Sequence, residues 1–442
     1  MNQPVLNLAQ DNSPHLELQR PLPFRRSFLF LQGPPGPLYH RLAEALQARG
    51  TKVERINICA GDEADWPGPA TNYRGRFRDW PVFIDNFLKQ HGITDILLFG
   101  DCRPYHVTAR RLADLRRIRT YVLEEGYLRP HWLTLELDGV NGYSRLNRDR
   151  DWFIEQARCL PHEPELPPVT ASFRRRVRDS ARHYVAVHVK SWKFPHYRTH
   201  RPGSALIEAL GWGRKFLMGS PESKAAVNVI EKLRAKPFFL LPLQLSGDYQ
   251  IRNHSPFPDM PAAVAYVMES FAAHAPKDAN LLFKAHPLDC SLLNWARVIR
   301  RRAKKLEISE RVFFIEAGDL ETLASEAHGM ICVNSTSGTL ALAADTPVCT
   351  LGDAIYNVRG LTFQGHLDEF WANPTPPEPG LYQAFRRVLV DRCLVRGGLA
   401  SESAVETLIE SMTAKLCKDP VFQSPPIRAS TFEKCAFQVG AR

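Results

Sequence analysis

Six short stretches carry most of the side chains that could do chemistry, and each follows an apolar run: "GPPGP" (33–37), "GDCRPYH" (100–106), "EEGYLRP" (124–130), "QLSGDYQIRNH" (244–254), "KAHP" (284–287) and "NSTSG" (334–338). Isolated carboxylates such as Glu124 and Asp248 suit a nucleophile or a general base. Asp101 and Arg103 fall together in the second stretch, and Lys284 and His286 in the fifth. The hydroxyls of Ser335, Thr336 and Ser337, set before the apolar "TLALAADT", match a helix start, where free N–H groups and hydroxyls converge on phosphate. Plainer roles exist for each stretch. Ser and Thr are common helix caps, "EEG" can be a solvated turn, a His before Pro can be a turn residue, and Asp101 can simply pair with Arg103. Neither GxxxxGK[ST] nor GxGxxG after the first strand is present. "GPPGP" is no substitute, because proline lacks the N–H that a phosphate loop donates. These absences count against an ATPase or an NAD enzyme. Nine cysteines fall without CxxC spacing, which argues against a disulfide framework or a structural zinc.

The elements that must position these residues alternate. Apolar strands are predicted at 27–32, 52–58, 95–100 and 120–123, separated by helices over 38–50, 80–92 and 105–117. The pattern stops in a Pro-rich stretch, "CLPHEPELPPV", and resumes after Lys236 with strands at 237–243, 280–284, 311–316, 330–333 and 347–352. Short strands alternating with helices predict an α/β fold whose parallel sheets are covered on both faces. With 442 residues, the economical architecture is two Rossmann-like domains facing each other across a cleft. The expected division is a tail at 1–23, an N-terminal domain at 24–150, a linker with a basic, aromatic segment at 151–235, a C-terminal domain at 236–370, and a helical segment at 371–442 that packs back. In such sheets ligands bind beyond the carboxyl ends of the strands, and the six stretches all stand there.

Composition is that of a globular protein, with 44% hydrophobic and 24% charged residues. A formal charge of +10 suggests an anionic partner and leaves nucleotide, anionic lipid head group and nucleic acid open. From Phe173 to Arg201 nine Arg or Lys accompany a single acid, Asp179, with aromatic residues interleaved. That stretch and "WARVIRRRAKKL" (295–306) can be solvated faces or can dock on anionic lipid. No apolar h-region stands at the N-terminus and no uncharged run approaches the ~20 residues that span a bilayer. A cytoplasmic protein is expected, and any membrane contact must be peripheral.

Taken in order, the motifs resemble the capsule polysaccharide biosynthesis and export proteins of the KpsS type. The stretches that carry the resemblance are "FLFLQGPPGPLYHRLAEALQARG", "DWPVFIDNFLKQHGITDILLFGDCRPYH", "VLEEGYLRPHWLTLELDGVNGYSR", "HYRTHRP", "FFLLPLQLSGDYQIRNHSPF", "LLFKAHPLD" and "VNSTSGTLAL". They cover roughly Ser27 to Phe363. The resemblance implies a glycosyltransferase of GT-B architecture that retains configuration and uses CMP-activated Kdo, an acidic sugar. Its expected acceptor is a lysophosphatidylglycerol-type lipid, on which β-Kdo starts the linker of the capsule. Related β-Kdo transferases carry "EDG", Gln-x-x-x-Asp, "HP" and a Ser-containing turn. Here these fall on Glu124-Glu125-Gly126, on Gln244 to Asp248, on His286-Pro287 and on Ser335; the second acid of the first motif is Glu, so the role passes to Glu124.

The implied chemistry is a double displacement, parallel to that of retaining glycosidases. Asp248 is the candidate nucleophile, and Glu124 the base for the acceptor hydroxyl. Ser335, Thr336 and Ser337 are expected to hold the CMP phosphate while His286 donates to it. Lys284, Gln244 and Arg252 are donor-side contacts; Asp101, Arg103 and Arg129 are acceptor-side candidates. No cofactor or metal is expected. Expected partners are CMP-Kdo, the lipid acceptor, the anionic inner-membrane surface on which the protein would be peripheral, and other capsule biosynthesis or export proteins, with no nucleic acid. The alternative is a non-catalytic polysaccharide- or lipid-binding component of capsule export.

Overall fold

The structure is a computed structural model that describes residues 26–161, 167–170, 172–199, 224–234, 236–245, 249–287, 289 and 293–418. Its first sheet is built from β1 (Ser27–Phe30), β2 (Lys52–Asn57), β3 (Thr71–Asn72), β4 (Asp95–Phe99), β5 (Arg119–Glu125) and β6 (Trp132–Leu137), joined by β12 (Leu394–Arg396). The second contains β7 (Phe238–Pro242), β8 (Asn280–Lys284), β9 (Val312–Ile315), β10 (Gly329–Cys332) and β11 (Val348–Thr350). The orders are β12-β6-β5-β4-β1-β2-β3 and β11-β10-β7-β8-β9. Counting each half from its own first strand, both contain the 3-2-1-4-5 order of a doubly wound fold, with all those strands parallel. The molecule is therefore an α/β protein of two Rossmann-like halves.

Alternation of side chains along the strands explains why each sheet is covered twice. In β1, Phe28 and Phe30 pack with Leu38, Leu42 and Leu46 of the helix Leu38–Gln47. Leu29 points the other way and packs with Trp80, Ile84 and Phe87 of the helix Trp80–Gln90. In β7, Phe239 and Leu241 face Val264, Val267 and Phe271 of the helix Met260–His274. Phe238 and Leu240 face a cluster that also contains Tyr127, Leu128 and Phe153 of the first half. The two halves thus share an apolar core.

The first sheet departs from the all-parallel expectation at one edge. Trp132–Leu137 is covered on both faces, with Leu133 and Leu135 buried on one and Thr134 and Glu136 on the other, and pairs antiparallel with β5. β12 then adds antiparallel to β6, with Leu394 opposite Thr134 and Val395 opposite Leu133. Behind it the helix Glu402–Cys417 buries Leu408, Met412 and Leu416 on the face that also holds Leu38 and Leu42. The segment after 370 therefore contributes a strand as well as helices, and closes the first sheet rather than the second.

The helix Phe173–Val189 lies over the short helix Ala60–Asp65. His183 Nδ1 bonds Asp65 Oδ2 at 2.6 Å, Arg182 donates to the Ala64 carbonyl at 2.6 Å, and Lys193 reaches Glu63 at 2.9 Å. Among the described residues no helix is long and apolar enough to cross a membrane.

Candidate functional site

The topological switch of each sheet, where the strand order reverses, opens a crevice at the carboxyl ends. In the first half it lies between β1 and β4, and one bond bridges it: Arg103 Nη1 donates to Gln32 Oε1 at 2.9 Å. In the second half it lies between β7 and β10, bridged by Gln244 Nε2 donating to Asn334 Oδ1 at 2.9 Å. The second crevice lies beside the junction of the two halves, where Gln250 reaches Glu124.

Glu124 stands at that junction. It is next to last in β5, and Gly126 turns the chain away just after it. A Cβ on Gly126 would lie 2.0 Å from the Trp132 carbonyl oxygen, so only glycine fits. Glu124 Oε2 accepts from Asn141 Nδ2 at 2.7 Å, and Oε1 accepts from Gln250 Nε2, of the second half, at 3.3 Å. Gln250 in turn offers its carbonyl to Asn334 Nδ2 at 2.8 Å. A continuous polar chain, Glu124–Gln250–Asn334–Gln244, therefore joins the strand end of one half to the switch crevice of the other.

The turn Asn141–Tyr143 that supplies Asn141 is fixed from below. Tyr127 donates its hydroxyl to buried Glu136 at 2.5 Å and accepts from the Asn141 N–H at 2.7 Å. Burial raises the Glu136 carboxyl above the usual carboxylate range, although Ser144 and Tyr127 both donate to it. From the other side His254 seals the turn. Its ring meets Tyr143 edge-on at 4.5 Å and lies 3.8 Å from Cys102 Sγ, and it is 1% exposed. Burial lowers its pKa, so the imidazole is neutral at pH 7. Arg148 ties the same turn to the second half, donating to the Asn141 carbonyl at 3.3 Å and forming an ion pair with Asp353.

The expected site residues are distributed as follows. Glu124 and Gln244 are joined through the polar chain. Asp248, with Ser246 and Gly247, lies outside the described residues. Gln250 follows it by two residues, in the helix Tyr249–His254, where the sequence suggested an irregular loop. Arg252 is exposed on that helix. Lys284 ends β8 opposite Pro242 of β7, its side chain buried, and His286 is half-buried two residues on. Ser335 and Ser337 share a bond of 2.8 Å between their hydroxyls, in the turn from β10 into the helix Gly338–Ala343. Thr336 sits between them, its carbonyl accepting from Thr339 Oγ1 at 2.8 Å.

On the acceptor side, Asp101 braces the fold. It is fully buried, accepting from Arg110 at 3.2 Å and from the Val140 N–H at 3.1 Å. It does not pair with Arg103, which is half-buried, bonded to Gln32 and stacked over Phe99. Arg129 is exposed and pairs with Glu125 at 3.3 Å. Asn141 and Tyr127 are junction residues that residue chemistry did not single out. The signal available was "GVNGYSR", polar and glycine-containing after a second apolar strand.

No group of three or more His, Cys, Asp or Glu that could hold a metal occurs among the described residues. All seven described cysteines are free.

The capsule polysaccharide biosynthesis protein family matches residues 94–399. Capsule polysaccharide modification protein LipB of Neisseria meningitidis serogroup B is 35% identical over 395 residues, covering 87% of this chain and 94% of that protein. Capsule polysaccharide export protein KpsS of Escherichia coli is 33% identical over 373 residues, covering 83% and 94% respectively. Among solved structures, a β-Kdo 2,7 transferase, KpsC of Thermosulfurimonas dismutans, is 14% identical with a TM-score of 0.42, covering 87% of this chain and 99% of that one. With its family match and these two relatives, the chain belongs to the capsule polysaccharide biosynthesis protein family.

Proposed function

We propose that this protein is a retaining glycosyltransferase that moves β-Kdo from CMP-Kdo to a lysophosphatidylglycerol-type lipid, the first step of a capsule linker. Membership of the capsule family supports the biological setting, and the Kdo donor follows from the sequence motifs that resemble β-Kdo transferases. The observation that carries the chemistry is the position of Glu124. Its carboxylate stands at the junction of two Rossmann-like halves, one oxygen held from each half.

In the proposed reaction an Asp248 oxygen attacks the anomeric carbon of Kdo. The bond to the CMP phosphate breaks, and its electron pair leaves on the phosphate. Ser335, Thr336 and Ser337 receive that phosphate while His286 donates a hydrogen bond, so the leaving charge falls on protein donors. Lys284 and Arg252 balance the donor's carboxylate, and Gln244 positions the turn that bears the hydroxyls. The acceptor hydroxyl then attacks the same carbon as Glu124 takes its proton, and the Asp248 carboxylate is released. Two inversions give net retention.

Asp248→Ala is expected to abolish Kdo transfer to a synthetic lyso-lipid while CMP binding and the circular dichroism spectrum are kept. Turnover in that variant would refute the nucleophile. Binding of lipid or polysaccharide by the wild type, with no CMP released from CMP-Kdo, would instead identify a non-catalytic component of capsule export.

A further inference from the structure

We propose that the outer face of the helix Phe173–Val189, extended by Trp192, docks the protein on an anionic bilayer. Residues four apart share one side of a helix, and Val177, Ala181, Val185 and Val189 form such a row. All are exposed, Val177 by 48%, Val185 by 59% and Val189 by 69%, and Trp192 just beyond is exposed by 73%. Beside the row stand Arg174 and Arg178, also exposed, with Lys190 beyond; Arg182, next in that line, donates to the Ala64 carbonyl instead. The helix has one acid, Asp179, whose carboxylate packs against Gly36 and lies 3.5 Å from both Arg175 and Arg178, so among the described residues Arg174 and Lys190 carry the unneutralised charge of this face.

The fold does not need this face. The opposite side already holds the helix down, through His183 on Asp65 and the ion pair of Arg176 with Glu125. An apolar row flanked by cations, with a tryptophan at its end, is the composition of a helix that lies in a membrane interface. Exposed aliphatic residues clustered in this way are uncommon on a free surface. A second copy of the chain fits less well, because a two-fold contact would set arginines against arginines. Nucleic acid would use the arginines and leave the valines in water. Anionic lipid takes both, phosphates on the cations and acyl chains on the valines and tryptophan.

The face is also well placed. Arg176 is tied to Glu125, the neighbour of Glu124, so the helix begins at the rim of the candidate site. The relevance of docking to a lipid acceptor rests on the proposed function; the docking itself does not.

The test is flotation of the full chain with vesicles of phosphatidylcholine alone or mixed with phosphatidylglycerol, without donor sugar. The wild type is expected to float with the mixed vesicles and to be released by high salt. Val185→Glu/Val189→Glu and Arg174→Glu/Arg178→Glu should each weaken binding about a hundredfold, with circular dichroism and transfer to a short-chain, micelle-free acceptor unchanged. The proposal is overturned if the wild type stays with the soluble fraction, if both variants float like the wild type, or if the valine variant changes the sedimentation coefficient by breaking a dimer. Flotation by a protein inactive with CMP-Kdo supports the docking and counts against the transferase.

Discussion

Replacing Gly142 by alanine tests whether the junction turn is what holds the two halves in register. A Cβ at this position would lie 2.3 Å from Nδ1 of His254 and 2.7 Å from its Cγ, where ordinary contacts are above about 3.4 Å. The imidazole would have to retreat by roughly 1 Å, and its surroundings are full. Tyr143 covers it, Cys102 lies against Nε2, and its own carbonyl accepts from the Asp353 N–H at 2.7 Å and from Asn334 at 3.3 Å. Overpacking of this kind costs about 1–3 kcal/mol. The displacement would pass along the helix Tyr249–His254 to Gln250 and hence to the partner of Glu124, where about 1 Å of misplacement can cost roughly a hundredfold in rate. Urea denaturation should therefore show a loss of about 1–3 kcal/mol, and a coupled CMP-release assay a larger loss in kcat than the stability change would suggest. His254→Ala in the same chain removes the obstruction, and the double variant should be more stable than the sum of the two single losses. Wild-type stability and turnover in Gly142→Ala, or strict additivity in the double variant, would refute the reasoning.

Two further outcomes follow from the same junction. Asn141 has φ +55°, which aspartate also tolerates, so Asn141→Asp keeps the backbone while setting a like charge 2.7 Å from Glu124. The acid limb of the rate–pH profile should move upward by roughly one unit or more, and an unmoved limb would sink the positioning role. The second outcome concerns acid stability. Burial, then the Arg103 charge, holds His106 at about 3, and burial lowers His254 despite Asp101 and Asp353 nearby. Both bind fewer protons folded than unfolded below the ordinary histidine value. Their stabilisation is therefore complete above pH about 6.5 and declines as pH falls toward the folded values, by on the order of a few kcal/mol. Urea midpoints that stay flat from neutral to mildly acidic pH would contradict this, and His106→Gln should lessen the decline.

Much of the fold was legible because it is periodic. The strands at Ser27, Lys52, Asp95 and Arg119 are short apolar runs between amphipathic helices, and the parallel order follows from that spacing. The edge was harder. Trp132–Leu137 reads as a strand only once β5 is there to pair with it, and Leu394–Arg396 is three residues that no local pattern marks. The candidate site was legible as a set of strand ends, with Glu124 among them at the junction of the halves. What fixes Glu124 was not legible, because Asn141 and Gln250 come from segments 17 and 126 residues away and meet it only through the fold. Asp101 shows another limit: a carboxylate after a strand has the same sequence signature whether it meets a ligand or, as its bond from the Val140 N–H shows, braces buried backbone.

The placement of β12 bears on how the chain is made. β6 leaves the ribosome roughly 250 residues before its partner strand, an interval of roughly 10–50 s at ordinary synthesis rates. Throughout that time "WLTLEL" is an unpaired edge with apolar side chains, and the face meant for Leu408 and Met412 is open to water. The first sheet to be translated is thus the last to be completed. A nascent chain of this protein is a natural client for a holding chaperone, and loss of the last forty residues of the described chain would leave the N-terminal half unfinished rather than merely shortened.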